Sequence, residues 1–193
     1  MNTQRVSHFS IHGHLTLQVL DLDMKVVHQV SADNIWTLTG REFLVQLMAL
    51  RSRSPRGGFR DDRVGFIGLG AGVQPKVANI TSLVDPVPYR TDEFLAHLAV
   101  PAQFPASGTT EGITAVRFIR TFARDEVSLS GSVVVTEAGL FTDGDPDNEW
   151  GTLSTPTDFA TTAGRAPVAY NTFEPITKTP DNSLRVIWDV RII

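Results

Sequence analysis

The amino-acid sequence predicts a mainly β fold, an antiparallel β-sandwich with one amphipathic helix packed on it. Several segments alternate apolar and polar residues with a period of two, as half-buried antiparallel strands do. Only one segment has helical periodicity, so the regular strand–helix alternation of a parallel sheet is missing. The chain has 193 residues, of which 41% are hydrophobic. It is therefore expected to form a single β-rich domain, residues 1–193, that buries its own core.

The first elements predicted are a hairpin and the helix. Residues 15–30 are typical of two strands joined at Asp21–Asp23, and residues 1–14 are expected to form an N-terminal arm. The segment Thr39–Glu42 has capping-box spacing, so it predicts a helix start, with the helix over residues 39–51. Its apolar stripe is expected to pack on the sheet.

A polar segment with five arginines, RSRSPRGGFRDDR, follows at residues 51–63. It is either an arm that touches nucleic acid or an acidic partner, or a solvated loop that its own acids partly neutralise. If it faces a neighbouring copy, the acidic loop 143–149 is a plausible partner. The candidate interface residues are Arg51, Arg53, Arg56, Arg60 and Arg63.

A strand and a glycine-rich turn are predicted in VGFIGLGAGVQP, residues 64–75. A dinucleotide site needs the spacing G-x-G-x-x-G at the start of a helix, whereas Gly68, Gly70 and Gly72 have the spacing G-x-G-x-G. Phosphate binding is therefore not expected. The three glycines are instead expected to adopt left-handed backbone angles.

The second half of the chain is predicted to be rich in strands, and the last strand has the cleanest pattern. Leu184, Val186, Trp188 and Val190 alternate with mostly polar neighbours in SLRVIWDVRI. Three earlier segments, EFLAHLAV, ITAVRFIRTF and SVVVTEAGLF, are also typical of strands. The loops at 100–112 and 143–168 are candidates for subunit contacts.

The segment TDGDPDNE raises the question of a calcium site. Asp143, Asp145 and Asp147 fit the first three ligand positions of an EF-hand loop and are the candidate metal ligands. However, Asn148 stands where that loop needs glycine, and Ser154 stands where it needs a bidentate glutamate. The stronger interpretation is a hairpin turn.

An acid interrupts the apolar strand SVVVTEAGLF. Glutamate is depleted in strands and is rarely buried without a partner, so Glu137 is expected to need one. Either a salt bridge with Arg117, Arg120 or Lys178, or a backbone-bonded bulge beside Gly139, would supply it.

Several function classes find no support in the sequence. The chain has no cysteine and a net charge of −4, which excludes thiolate chemistry and argues against nucleic-acid binding through bulk charge. His12 and His14 could share a metal or form a polar surface pair. Nucleophile elbow, zinc-protease and Walker motifs do not occur, so we expect neither an enzyme nor a cofactor. Neither a secretory signal nor a membrane span is evident, so folding in a cytoplasm is expected.

The order of these motifs resembles a group of tailed-bacteriophage virion proteins. The matching features, spread over about residues 25–193, are Asn34 and a Thr-Gly pair before REFLVQLM, FIGLGAGVQP, TSLVDPVPYR with Arg90, VTEAGLF, FEPITK and SLRVIW. The motif residues singled out are Glu137, Gly139, Phe141, Lys178 and Trp188.

The resemblance implies a non-enzymatic structural component of a virion, assembled in the host cytoplasm from copies of itself and other virion proteins. The tail, neck or fibre-attachment region is the expected location. One alternative is a capsid decoration or cement protein. Another alternative, from a different class, is a calcium- or carbohydrate-binding β-sandwich module, and a hydrolase with an unrecognised site is the weakest.

Overall fold

The computed structural model describes residues 10–48, 64–98, 115–129, 131–142 and 166–192. Within these residues the chain forms nine strands and one helix, in agreement with the predicted mainly β fold. In chain order they are β1 (Ile11–Leu20), β2 (Val26–Trp36), α1 (Leu38–Met48), β3 (Val64–Gly70), β4 (Pro86–Val87), β5 (Leu95–His97), β6 (Ala115–Phe122), β7 (Val133–Thr142), β8 (Ala169–Lys178) and β9 (Ser183–Ile192).

The strands form one curled antiparallel sheet in the order β4-β3-β7-β8-β2-β1-β9-β6, with β5 also paired to β3. Strand β2 joins the two halves of this sheet. It pairs with β1 along most of its length, but it pairs with β8 only at Ile35 and Trp36. The first half therefore contains β6, β9, β1 and β2, and the second contains β8, β7, β3, β4 and β5.

The two halves pack face to face around one main core, as in a sandwich. Leu17 of β1 and Trp188 of β9 contribute from the first half, and Ile67 of β3 and Leu140 of β7 contribute from the second. All four side chains are buried. The alternation predicted for β9 is confirmed, because Leu184, Val186, Trp188 and Val190 are all buried.

The far edges of the two halves also meet at one end of the molecule. The backbone amide of Val127, after β6, donates to the carbonyl of Tyr89, after β4, at 2.9 Å. The rings of Tyr89 and Phe122 pack edge to face with their centroids 6.3 Å apart. Arg90 then forms an ion pair with Glu126 at 3.0 Å. The curled sheet is closed at this end by side-chain and backbone contacts.

Helix α1 begins at Leu38, one residue earlier than predicted, and its N-cap lies two residues before the predicted one. The hydroxyl of Thr37 accepts the backbone amide of Gly40 at 3.0 Å, and the Thr37 carbonyl accepts the amide of Arg41. Thr37 is therefore the N-cap, and the capping box predicted at Thr39–Glu42 is wrong. The Thr37 hydroxyl also donates to the carbonyl of Pro167 at 2.5 Å, so a tertiary contact fixes the start of the helix. Phe43 packs on the core, as predicted for the apolar stripe.

Two other expectations are corrected by the strand bounds. Residues 11–14, predicted to be part of an arm, already belong to β1, where His14 lies opposite Asp33 and Asp189. Strand β8 was not predicted, because Pro175 and polar residues interrupt its alternation. The pairing of β7 with β8 is irregular at this point, with a register shift between Val135 and Glu137.

The described residues contain no helix that is long and apolar enough to cross a membrane.

Candidate functional site

An extensive polar network in the described interior surrounds the carboxylate of Glu137. This side chain is fully buried in β7. Its Oε1 atom accepts the backbone amides of Val84 at 2.9 Å, Asp85 at 3.0 Å and Gly72 at 3.3 Å. Its Oε2 atom accepts the Tyr170 hydroxyl at 2.8 Å. One carboxylate thus joins the glycine-rich turn, the loop before β4 and strand β8.

The glycines of FIGLGAG make room for this carboxylate. None of the three has a left-handed φ angle, so that prediction is wrong. Gly70 lies opposite Glu137 in the β3–β7 pairing, and a methyl group there would overlap its carboxylate. A methyl group at Gly72 would lie 2.7 Å from Glu137 Oε1 and 2.5 Å from the Cβ atom of Val84. The turn requires glycine because a side chain and a neighbouring loop approach its backbone closely.

The salt bridges predicted for Glu137 are wrong. The carboxylate binds backbone amides instead, as in the alternative prediction, but the irregular pairing lies between Val135 and Glu137 rather than beside Gly139. Arg117 binds Asp189 instead, through two hydrogen bonds of 2.7 and 2.9 Å. Arg120 binds both carboxylate oxygens of Glu126, at 3.0 and 3.1 Å. The hydrogen bond to Asp189 raises the pKa of the Arg117 guanidinium above its ordinary value.

Burial also changes the acidity of the phenol bound to Glu137. It raises the pKa of Tyr170 above its ordinary value, and the hydrogen bond to the Glu137 carboxylate raises it further. Tyr170 therefore stays a hydrogen-bond donor over the whole neutral range. Because every one of the four donors points at the carboxylate, the group is held in place rather than left free to react.

Lys178 is a second buried charge, and it closes the turn after β6. Its ammonium donates to the carbonyls of Thr179 at 2.7 Å and Arg124 at 3.1 Å, and to the hydroxyl of Ser128 at 3.2 Å. Burial lowers its pKa from the ordinary value, and the negative charges of Asp125 and Glu126 oppose this shift. All three donor positions of the ammonium are occupied, which is the arrangement of a structural lysine.

The remaining motif residues lie in the interior as well. The indole of Trp188 donates to the Oδ1 atom of Asn34 at 2.9 Å, which ties β9 to β2 across β1. Gly13 lies opposite Asn34 in the β1–β2 pairing, and a methyl group there would overlap the Asn34 amide. Phe141 is buried in a second core cluster with Tyr170, and a methyl group at Gly139 would press on the Phe141 ring at 3.0 Å.

A charged row crosses the outer face of the first half of the sheet. In register across β2, β1, β9 and β6 stand Asp33, His14, Asp189 and Arg117. His14 binds Asp33 at 2.9 Å, and this hydrogen bond lowers the pKa of the Asp33 carboxyl. His12 pairs with the hydroxyl of Ser10 at 2.9 Å rather than with His14. Both histidines are exposed polar residues of β1, and each binds a different partner. Across the described ranges no group of three or more possible metal ligands is assembled.

Several predicted residues lie outside the described part of the chain. These are the calcium candidates Asp143, Asp145 and Asp147 and the interface candidates Arg51, Arg53, Arg56, Arg60 and Arg63.

The sequence did not predict the side-chain partners of Glu137 and Trp188, which are Tyr170 and Asn34. Tyr170 lies in the unpredicted strand β8, so its hydroxyl had no assigned place. Asn34 was named only as a motif residue. Asparagine is depleted in strands, so its place in β2, two residues before Trp36, could have indicated a specific hydrogen-bond partner.

Comparisons of this chain with protein-family models, with curated proteins and with solved structures give no match.

Proposed function

We propose that this protein is a non-enzymatic structural component of a tailed-phage virion, which assembles through its loops and sheet edges at the tail, neck or fibre-attachment region. It acts together with copies of itself and with other virion proteins. Its work is to hold a rigid shape and present surfaces, and no reaction step is required of it.

One observation carries the proposal. The short motifs that resemble virion proteins meet each other in space. Glu137 of VTEAGLF binds the backbone of Gly72 in FIGLGAGVQP and of Val84 and Asp85 in TSLVDPVPYR. A set of motifs that are far apart in sequence and bound to one another serves the architecture of the fold. The resemblance thus rests on the residues that define the fold.

The C-terminal motifs behave in the same way. Trp188 of SLRVIW binds Asn34, which precedes the helix in the resembling pattern, at 2.9 Å. Lys178 of FEPITK gives its three hydrogen bonds to the turn after β6 and to its own neighbour Thr179. These contacts support an architectural role for the motifs, because the Trp188 indole and the Lys178 ammonium form their hydrogen bonds within the fold.

The direct test is to look for the chain in particles. Virions of the phage or induced prophage that encodes this sequence would be banded by density, treated with nuclease and protease, and examined by peptide mass spectrometry. We expect peptides of this chain in stoichiometric amounts. Gold-labelled antibodies then give the location: label at the tail or neck supports the proposal, and label over the capsid surface replaces it with a decoration role. Absence from intact particles refutes a virion role.

A second test uses the purified chain and separates assembly from ligand binding. Mass-resolved sizing in calcium and in EDTA should give the same discrete oligomer, because assembly would depend on protein surfaces. A monomer whose melting temperature rises in calcium would contradict the proposal, since a ligand that binds only the folded state stabilises it. That result would favour the calcium-binding module.

A further inference from the structure

Among the described residues, the edge of β2 that faces away from β1 is open along most of its length. Strand β2 pairs with β8 only at Ile35 and Trp36, and the amide of Asn171 binds the carbonyl of Ala32 at 3.0 Å where the two strands diverge. From Val26 to Ser31, no other described strand pairs with the side of β2 that faces away from β1. An open strand edge offers a row of backbone donors and acceptors to another strand.

From His28 to Ala32 this edge lacks the charges, prolines and bulges by which proteins protect strand edges. The segment Val26–Ala32, VVHQVSA, contains no lysine, arginine, acid or proline. A bulge at Val27 lies next to the hairpin tip, and the register with β1 is regular from His28 to Asn34. The segment is therefore able to accept a further strand.

The hairpin tip beside this edge has a fixed turn and exposes apolar side chains between its charged residues. One carboxylate oxygen of Asp21 accepts the backbone amides of Asp23 and Lys25, each at 2.9 Å, which fixes the turn. Four of the ten large hydrophobic side chains that are exposed among the described residues lie here. They are Leu22, Met24, Val26 and Val27. Such a concentration marks a contact surface.

We propose that the open edge of β2 pairs antiparallel with the same edge of a second copy, around a twofold axis at Gln29. This inference rests on the proposed assembly role and names the surface by which one copy meets another. It would join the first halves of two copies into one continuous sheet. The paired segment, Val26–Ala32, would be about 20 Å long.

Charge selects both the occupant and the register. With Gln29 opposite its own copy, Lys25 of each copy, just beyond the bulge at Val27, approaches Asp33 of the other, and two ion pairs flank a neutral centre. The Asp33 side chain is exposed, so it can accept this partner beside His14 and beside Lys76, whose ammonium binds the Asp33 backbone carbonyl at 2.9 Å. A register centred on His28 would instead bring Asp33 towards Asp23 of the second copy, and like charges close together across two strands are destabilising. A self-complementary edge of this kind fits a twofold contact.

The twofold axis gives a sharp test at Gln29. Gln29→Lys and Gln29→Glu each place two like charges opposite each other, so each variant alone should weaken self-association at least about tenfold. An equal mixture of the two variants places lysine opposite glutamate and should restore association. The matched control is Gln18→Lys on β1, because Gln18 shares a 2.8 Å hydrogen bond with Gln29 but lies away from the open edge. The control should associate like the unmodified chain.

The measurement is sedimentation velocity of the full chain from micromolar to submillimolar concentration, with circular dichroism melting to check that each variant folds. A second pair of substitutions tests the register: Lys25→Asp and Asp33→Lys should each weaken association, and the double variant should restore it. The proposal is overturned by a monomeric unmodified chain, by Gln29→Lys behaving like Gln18→Lys, or by a mixture that does not restore association. If particles contain the chain and Gln29→Lys still associates normally, edge pairing fails while the virion role stands.

Discussion

Removing the Glu137 carboxylate should cost a large part of the stability of the fold. Glu137→Ala leaves four donors without their acceptor: the amides of Gly72, Val84 and Asp85 and the hydroxyl of Tyr170. An unsatisfied buried donor costs about 1–3 kcal/mol, and water that enters the vacated space offsets part of this cost. At about 1 kcal/mol for each donor, the loss is about 4 kcal/mol. A domain has only about 5–15 kcal/mol in total.

Glu137→Gln should be much milder. The amide oxygen can still accept the three backbone amides, and the Tyr170 hydroxyl can turn to accept from the new amide group. Only the strengthening by charge is lost, for which we expect about 1–2 kcal/mol. Glu174→Ala is the matched control, because Glu174 is an exposed glutamate in β8 and should change stability by less than about 0.5 kcal/mol.

Thermal and urea unfolding, followed by circular dichroism, measure these differences. For a chain of this size, about 4 kcal/mol corresponds to a fall in the melting temperature of about 8–16 °C. A melting temperature of Glu137→Ala close to that of Glu174→Ala would refute the account of the network.

A double-mutant cycle with Gly70→Ala checks the geometry independently. The methyl group of Gly70→Ala would overlap the Glu137 carboxylate, so alone it should destabilise the fold strongly. In a chain that already carries Glu137→Ala, the carboxylate is gone and the same methyl group should cost less. Additive effects would show that the two positions do not meet.

Two further predictions concern titration and capping. The chain has two tyrosines, and burial raises the pKa of Tyr89 to about 12 and that of Tyr170 above its ordinary value. Each phenol has a higher pKa in the folded chain than in the unfolded chain. Its contribution to the free energy of unfolding is therefore fully present below about pH 10 and is lost as the pH rises through the folded pKa. Ultraviolet absorbance of tyrosinate should therefore rise near pH 10 in urea but only above pH 11 in the folded chain. Tyr170→Phe should leave one transition, and a folded chain that titrates near pH 10 would contradict the burial of both phenols. At the start of α1, Thr37→Val should cost about 1–2 kcal/mol because it removes the N-cap and the bond to the segment before β8. Thr39→Val should lower the free energy of unfolding by less than about 0.5 kcal/mol in the same urea titration. A larger loss for Thr39→Val than for Thr37→Val would show that Thr39 is the N-cap.

The sequence predicted what local periodicity determines. The alternation in SLRVIWDVRI identified the buried face of β9. The alternation of Leu15, Leu17 and Val19, followed by a turn at Asp21–Asp23 and the β-branched Val26 and Val27, identified the β1–β2 hairpin. Strand β8 escaped prediction because its pattern is broken at Pro175, where its pairing with β7 is also irregular. There the tertiary structure compensates for a segment that has weak strand character of its own.

The partners of Glu137 could not be predicted from spacing. A buried acid signals that donors must be nearby, but here three of the four donors are backbone amides, which every residue except proline carries. The helix start was misassigned for a related reason. Thr37 and Thr39 have the same side chain, and only contacts of Thr37 with residues before β8 decide between them.

The pairing of β1 with β9 limits how early the sheet can form while the chain is being synthesised. Residue 11 lies opposite residue 192, and β9 separates β1 from β6 throughout the first half of the sheet. During synthesis at about 5–20 residues per second, the β1–β2 hairpin leaves the ribosome on the order of 10 s before β9 exists. Until then Leu15, Leu17 and Val19 lack the strand that completes their side of the core. Pairing between strands so far apart in sequence makes folding slow. We therefore expect this protein to depend more on a chaperone, or on rapid completion of the chain, than a protein built from local hairpins.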